Sequence, residues 1–271
     1  MQRNFKEFKI TVDPVRDDFL RAKGPGQRNL LLGRAVFEFA SDLEHLDTIQ
    51  QEFVEGSHRP LIRRNWQDST ADYSDPTQLL IQGQQVMQNW ERPLMKVLAE
   101  NAAANGGDLL EVGFGMGISA TYVQDAGVRS HTLIEINSEV KAEFEKWRSQ
   151  WPDRDIRLEL GAWQDVLGGL GQYDAILYDT YPTDEREFAR TLGPKAIVLA
   201  AEFFEHAAAH LRPGGVFSYY TNEIDSLSRA HQRALLDHFS SFRVEVVRGL
   251  KPPADCTYWW AGTMAAVTAV K

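Results

Sequence analysis

A glycine-rich segment between an apolar run and a helical pattern is the first group of residues that could do chemistry. It reads Glu111-Val112-Gly113-Phe114-Gly115-Met116-Gly117. Glycines there let the backbone approach a ligand closely, and the helix that follows has free N–H groups at its start. Glu135 ends the next apolar run, 20 residues after Gly115. A carboxylate at this spacing is typical of residues that bind ribose hydroxyls, so the pattern predicts a site for a nucleoside-containing cofactor.

Two cofactors compete for this pattern, a nicotinamide dinucleotide and S-adenosyl-L-methionine. Glu111 suits the ammonium group of an amino acid better than a pyrophosphate. A dinucleotide-binding loop is expected to have its third glycine further on, where this chain has Ser119. The LRPGG segment at 211–215 before a late strand and the antiparallel strand pair at the end of the chain both resemble the seven-stranded methyltransferase fold, which favours the methyl donor. A glycine turn that binds no ligand is the remaining interpretation.

Apolar runs alternate with helical patterns from residue 86 to the end, which predicts an α/β fold with a parallel sheet covered on both faces. The predicted helices are 86–105, 117–127, 139–151, 192–212 and 225–240, and the predicted strands are 108–114, 131–136, 156–162, 173–179, 214–221, 242–250 and 263–270. The segment between the last two strands is too short for a crossover helix, so these strands must pair antiparallel.

Residues 1–60 precede this alternation and form a predicted N-terminal extension. Residues 5–12 resemble a short strand, and residues 35–56 place apolar side chains at helical spacing, with Gly56 as a stop signal. This amphipathic helix would either cover the chain's own core as a lid or form a contact in a homodimer. Residues 57–85 are polar, with Trp66 and Tyr73 embedded among charged and small side chains.

Composition excludes several classes of protein. The chain has 271 residues with 29 Lys and Arg against 38 Asp and Glu, a net charge of -9, which disfavours binding to nucleic acid. A single cysteine, Cys256, excludes an internal disulfide and a cysteine-rich metal site, and no metal is expected. No apolar run is long enough to span a membrane, and the N-terminus has no apolar signal core, so we expect a cytoplasmic protein.

Seven segments together resemble guanidinoacetate N-methyltransferase and its relatives, from about residue 66 to the end. They are VMQNWERPLM (86–95), LLEVGFGMGI (109–118), IEIN (134–137), GAWQDV (161–166), YDAILYDTYP (173–182), LRPGG (211–215) and PPADCTYW (252–259). Yeast-type protein arginine δ-N-methyltransferases share part of this pattern. The resemblance implies a Rossmann-like, seven-stranded class I methyltransferase sheet. The methyltransferase domain would span 61–271, with 1–60 as a helical extension and 61–85 as a flap.

The resemblance also implies S-adenosyl-L-methionine as the cofactor, S-adenosyl-L-homocysteine as its product, and a set of contacts. The methionine part would lie on the glycine loop, Glu135 would bind the ribose, and Trp163 and Gln164 would flank the adenine. The implied cofactor-binding residues are Trp66, Tyr73, Met87, Met95, Glu111, Gly113, Phe114, Gly115, Met116, Gly117, Ile118, Glu135, Ile136, Asn137, Trp163, Gln164 and Asp179.

For the substrate, the resemblance implies that Glu91 and Asp179 hold and deprotonate a guanidino group. A guanidinium is protonated at neutral pH and its nitrogens are poor nucleophiles, so two facing carboxylates suit it. Met87, Tyr181, Asn222 and Glu223 are the other implied substrate contacts. Where relatives bind a substrate carboxylate, Glu223 would repel it and attract an ammonium instead.

The ammonium argument predicts methylation of a small guanidino compound, free L-arginine. Guanidinoacetate methylation to creatine is the first alternative, and a protein arginine methyltransferase is the second. A cofactor-binding regulator without catalysis is an alternative from a different class.

Overall fold

The computed structural model describes residues 62–63, 65–184, 187, 198–221, 223, 225–259 and 261–271. The strand predicted at 5–12 and the helix predicted at 35–56 lie outside these residues, as does the choice between a lid and a dimer contact.

The described chain begins with a small antiparallel sheet that the sequence did not predict. It follows a 3₁₀ turn at Trp66–Asp68 and contains β1 (Ala71–Asp72), β2 (Gln78–Ile81) and β3 (Gln84–Gln88) in the order β1-β2-β3. Gln82 and Gly83 have positive φ values of 53° and 75°, which close the tight β2–β3 hairpin. The helix predicted at 86–105 is therefore wrong at its start, because its first three residues belong to β3.

The remaining elements build a seven-stranded sheet with helices on both faces. The strands are β4 (Asp108–Val112), β5 (Ser130–Glu135), β6 (Ile156–Leu160), β7 (Tyr173–Tyr178), β8 (Leu211–Thr221), β9 (Ser241–Arg248) and β10 (Thr263–Val270). The helices are α1 (Arg92–Ala103), α2 (Ile118–Ala126), α3 (Val140–Arg148), α4 (Trp163–Val166), α5 (Phe204–His210) and α6 (Arg229–Leu236).

The strand order is β6-β5-β4-β7-β8-β10-β9, with β10 antiparallel to both β8 and β9. All seven predicted strands and the antiparallel ending are confirmed, and so is the Rossmann-like class I methyltransferase sheet. The loops after β4, β5 and β7 meet at one edge, because these strands are parallel neighbours. That edge is where the glycine loop, Glu135 and Asp179 lie.

Alternate strand residues divide the core between the two faces of the sheet. Leu109 and Leu177 pack with α1 and α2 on one face, while Leu110, Ile176 and Phe217 pack on the other with the aromatic side chains of α5. The sheet is thus buried on both sides, which gives the edge that carries the glycine loop a rigid base.

The long helix predicted at 192–212 is wrong at its C-terminal end. Its described part is a 3₁₀ turn at Leu199–Phe203 followed by α5, and β8 already begins at Leu211. Leu211 pairs with Tyr173 of β7, so sheet pairing at this position overrides the helical pattern. In the described part of the chain, no helix has the length and apolar character needed to cross a lipid bilayer.

Candidate active site

The structure brings the two predicted catalytic carboxylates to the same edge of the sheet. Glu91 ends a 3₁₀ turn at Asn89–Glu91, immediately before α1, and is only 6% exposed. Asp179 follows β7 and is half-buried, and its main-chain N–H donates to the carbonyl of Val112 at 3.0 Å. The strand pairing of β4 and β7 therefore fixes where Asp179 leaves the sheet.

Both carboxyl groups hold their protons more tightly than usual. Burial, together with the charge of Asp179, raises the pKa of Glu91 to about 8. Burial, followed by the charge of Glu111, raises the pKa of Asp179 to about 7. Because the charge of Asp179 acts on Glu91, the two carboxyl groups together can retain a proton near neutral pH. A cation bound between them would favour full ionisation.

Two tyrosines complete this carboxylate site, and the sequence analysis assigned neither a role. The Tyr258 hydroxyl donates to Oε1 of Glu91 at 2.6 Å. Tyr220 lies near the end of β8. Burial raises the pKa of its hydroxyl, and the negative charges of Asp179 and Glu91 raise it further. The segment PPADCTYW, which contains Tyr258, contributes to the family resemblance. It does not indicate that Tyr258 contacts Glu91.

The glycine loop turns sharply beneath Asp179. Gly113 has φ 96°, and a Cβ placed there would lie 1.9 Å from the carbonyl oxygen of Asp179. Gly117 has φ 66°, and a Cβ there would meet the ring of Phe114 at 2.7 Å. Only glycine fits at these two positions, so the loop backbone can lie against the strand end that carries Asp179.

The loop uses its own N–H groups internally. Gly113 donates to Ile134, Phe114 and Gly115 donate to the Glu135 carboxylate, and Gly117 donates to Phe114. The N–H of Met116 points at the sulfur of Met87 at 3.4 Å. A pyrophosphate needs free N–H groups, which these five residues do not offer, so the loop fits a dinucleotide poorly.

The carboxylates around the loop fit a cationic cofactor instead. Glu135 is buried at the end of β5, and burial raises the pKa of its carboxyl against the opposing effect of N–H bonds from Asn137 and Phe114. With Glu111 and Asp179 nearby, the loop is bordered by acidic groups. A ligand with an ammonium and a sulfonium matches such an environment, whereas a phosphate would be repelled. The binding of ribose by Glu135 stays a prediction.

Glu111 already has partners inside the protein. Ser119 donates to one oxygen of its carboxylate, and Nε2 of the buried His131 contacts the other at 2.8 Å. Gln124 contacts Nδ1 of the same ring at 3.0 Å, which completes a buried network behind the loop. The carboxylate of Glu111 thus stabilises the loop from behind. A contact between Glu111 and the ammonium group of a cofactor stays a prediction.

The segment predicted as a flap lies over the ends of β4 and β5. Tyr73 donates to the carbonyl of Gly115 at 2.8 Å. Trp66 is buried and stacks on Tyr181 with 5.5 Å between ring centroids and 7° between planes. The side-chain amide of Asn137 donates to the carbonyls of Trp66 and Ser69, both at 2.8 Å. These contacts join the flap to the glycine loop and to the loop after β7.

The other predicted contacts are mostly buried. Met87 reaches the glycine loop from β3, and it lies in the same apolar core as Met95, Phe114 and Ile118. Ile136 is half-buried after β5. We therefore expect Met95 and Phe114 to act through packing, and their direct contact with cofactor stays a prediction.

The predicted adenine pair begins α4. Trp163 is half-buried and packs edge-on against Phe203 at 5.0 Å between ring centroids, while Gln164 is exposed.

Asn137 is also predicted to lie beside the adenine. Its Oδ1 atom accepts hydrogen bonds from the main-chain N–H groups of Glu139 and Val140, so both polar groups of its side chain already have partners. Only the main chain of Asn137 remains for a contact with the adenine.

Glu223 does not point to a free substrate position. One carboxylate oxygen accepts the N–H of Ser228 at 3.0 Å, and the other contacts Nδ1 of the buried His231 at 2.5 Å. Nε2 of His231 contacts the Tyr219 hydroxyl at 2.6 Å. The carboxylate thus ties the loop after β8 to α6. Asn222 lies outside the described residues.

No cluster of three or more potential metal ligands occurs among the described residues. His206 packs against Trp163, and Nδ1 of His210 contacts the carbonyl of Gly171. Cys256 is buried, and burial raises the pKa of its thiol to about 12, so it packs as a neutral group.

Comparisons with known proteins identify the family of this chain. A family model described as guanidinoacetate N-methyltransferase matches residues 53–271. Protein arginine N-methyltransferase 2 of Yarrowia lipolytica is 32% identical over 161 residues, 55% of this chain and 31% of that protein. The Saccharomyces cerevisiae protein of the same name is 29% identical over 147 residues, 50% of this chain and 32% of that protein. The chain thus matches about a third of the length of these relatives.

Two solved structures of spermidine synthase share the fold. One, in complex with the transition state analogue AdoDATO, has a TM-score of 0.52 at 18% identity and covers 71% of this chain and 66% of its own. The other, from Thermotoga maritima, has a TM-score of 0.50 at 17% identity and covers 71% and 64%. With four-fifths of its residues matched by the family model, this chain belongs to the guanidinoacetate N-methyltransferase family, whose cofactor is S-adenosyl-L-methionine.

Proposed function

We propose that this protein methylates a guanidino nitrogen of arginine, with free L-arginine as the simplest substrate. The observation that carries this proposal is the meeting of Glu91 and Asp179, two carboxylates with raised pKa values, beside the glycine loop. Ionised carboxylates at a water-poor site need a cation, and a planar guanidinium presents N–H groups that can pair with both.

The two carboxylates would do two things for the reaction. They hold the guanidino group in one orientation, which can contribute about 7–11 kcal/mol to lowering the barrier. They also accept the proton that the nitrogen must lose, because a protonated, delocalised guanidinium has no lone pair for attack. When bound, S-adenosyl-L-methionine supplies a methyl carbon on a positively charged sulfur and leaves as S-adenosyl-L-homocysteine. Glu91 or Asp179 then holds the proton released from nitrogen.

The choice of arginine rests on the relatives rather than on Glu223. Proteins that match half of this chain are named protein arginine N-methyltransferase 2, which supports an arginine guanidino group. The carboxylate of Glu223 is bound to His231 and Ser228, so this arrangement does not support its pairing with a substrate ammonium. Guanidinoacetate and arginine within a polypeptide are therefore the compounds to compare with free L-arginine.

The test is a competition assay with methyl-labelled S-adenosyl-L-methionine. L-arginine, guanidinoacetate and an arginine-containing peptide are offered at equal concentrations, and product masses are read directly. The proposal predicts methylated L-arginine as the main product. Creatine or a methylated peptide would refute the choice of substrate but keep the guanidino chemistry. No product from any of the three, with the cofactor bound, would favour a non-catalytic cofactor-binding protein.

A further inference from the structure

Two hydrogen-bond donors converge on one oxygen of the Glu91 carboxylate. The Tyr258 hydroxyl donates to Oε1 at 2.6 Å, and the main-chain N–H of Gln88 donates to the same atom at 2.7 Å. Among the described residues, no hydrogen bond to Oε2 is found. The carboxylate is therefore held by one oxygen, with the other left for a ligand.

The position of Tyr258 is itself fixed by β3 and the turn that follows it. The side chain of Gln85 accepts the N–H of Thr257 at 2.8 Å and donates to the carbonyl of Asp255 at 3.2 Å. The ring of Trp90 stacks on that of Tyr258 with 5.8 Å between centroids. The loop before β10 is thus attached to the same short segment that carries Glu91.

We propose that Tyr258 is a positioning residue, which holds Oε1 of Glu91 so that Oε2 faces the guanidino group of the substrate. The role of Oε2 in binding substrate rests on the proposed function, but the contact between Tyr258 and Glu91 can be tested without substrate. Rotation of the carboxylate about its last bond would otherwise exchange the two oxygens, and the guanidinium fork requires a fixed partner.

The hydroxyl of Tyr258 also favours ionisation of Glu91. Four groups face this carboxyl: Asp179 after β7, Tyr220 on β8, and Cys256 and Tyr258 in the loop before β10. Asp179 opposes ionisation of Glu91 by its charge, while the hydrogen bond from Tyr258 favours it. Removal of the hydroxyl should therefore raise the pKa of Glu91.

The first test uses the protein without ligands. The side-chain carboxyl carbon of Glu91, labelled with ¹³C and assigned by its loss in Glu91→Gln, is titrated by NMR in the wild type and in Tyr258→Phe. A charge-assisted hydrogen bond of typical strength corresponds to an upward shift of about 1 to 2 on the pH scale. Tyr173→Phe is the matched control, because Tyr173 begins β7 at the opposite edge of the sheet. An unchanged titration in Tyr258→Phe would overturn the proposal.

A second variant keeps the hydroxyl but loosens the loop. Gln85→Met removes the bonds to Thr257 and Asp255, and we expect a shift in the same direction as for Tyr258→Phe. This variant also carries the test if Tyr258→Phe does not fold. If Gln85→Met leaves the titration unchanged while Tyr258→Phe shifts it, then Tyr258 acts without support from β3, which would overturn that part of the inference.

The kinetic test separates positioning from general damage to the fold. At pH 7.5, Tyr258→Phe should raise KM for the guanidino substrate about tenfold for each pH unit by which the pKa of Glu91 rises, and the defect should shrink near pH 9.5. In the Glu91→Gln background, Tyr258→Phe should change KM by less than about twofold. A defect that is constant with pH would indicate a merely structural role. An inactive wild type would refute the proposed function, whereas the NMR result would still stand.

Discussion

Ionisation of the buried Glu91 carboxyl lowers the free energy of unfolding, and this loss can be measured as a function of pH. Its pKa is raised from 4.5 to about 8 in the folded protein, so the folded state binds this proton more tightly than the unfolded state does. Stability from this group is therefore greatest at low pH and is lost as pH rises between about 4.5 and 8. At about 1.36 kcal/mol per pH unit, the full effect is on the order of 4–5 kcal/mol.

Glu91→Gln should remove this cost while keeping the local hydrogen bonds. The amide oxygen of glutamine can accept from both Tyr258 and the N–H of Gln88, as Oε1 does now. We expect the variant to unfold like the wild type at pH 5 and to be more stable by several kcal/mol at pH 9.

The assay is urea unfolding at several pH values between 5 and 9, followed by fluorescence. Glu139→Gln is the control, because it makes the same substitution at an exposed carboxylate before α3, outside the buried pair. A difference between Glu91→Gln and wild type that does not grow with pH would refute the reasoning about the buried pair.

Three further predictions concern the catalytic pair, the glycine loop and the flap. Because Glu91 and Asp179 must both be ionised to bind a guanidinium, kcat/KM should rise with pH between about 7 and 8, and a flat profile from pH 6 to 9 would contradict this. Gly113→Ala should abolish cofactor binding measured by calorimetry and lower Tm, since its Cβ would overlap the Asp179 carbonyl, whereas Gly171→Ala, which meets nothing within 4 Å, should bind normally. Asn137→Asp keeps the oxygen that accepts from α3 but loses the donors to the flap, so it should cost on the order of 2 kcal/mol and weaken cofactor binding; unchanged affinity would exclude a role for the flap.

The parallel sheet was predictable because its signals are local. The strands β4, β7 and β10 are short and mostly apolar, and Gly127 ends α2 in the left-handed conformation that favours glycine. The small sheet β1–β3 escaped prediction because its strands are only two to five residues long, and because Met87 and Gln88 also fit the helical pattern that continues into α1.

The residues of the site were predictable in identity more than in contact. The family resemblance identified Glu91 and Asp179, and the structure places both at the same edge of the sheet. The resemblance did not identify their neighbours Tyr220 and Tyr258, because these are brought to the site by the folding of β8 and of the loop before β10. The sequence does not show which way a side chain turns. Glu223 therefore looked available to a substrate although it is bound to His231 on α6.

The measurement that tests the central claim most directly is methyl transfer to L-arginine by the wild type, Glu91→Gln and Asp179→Asn, with cofactor affinity measured on the same samples. We predict methylarginine from the wild type, a loss of at least about a hundredfold in kcat/KM in each variant, and a dissociation constant for S-adenosyl-L-homocysteine within about threefold of wild type in Glu91→Gln. Wild-type activity that survives both substitutions would contradict the assignment of the two carboxylates to the guanidino group.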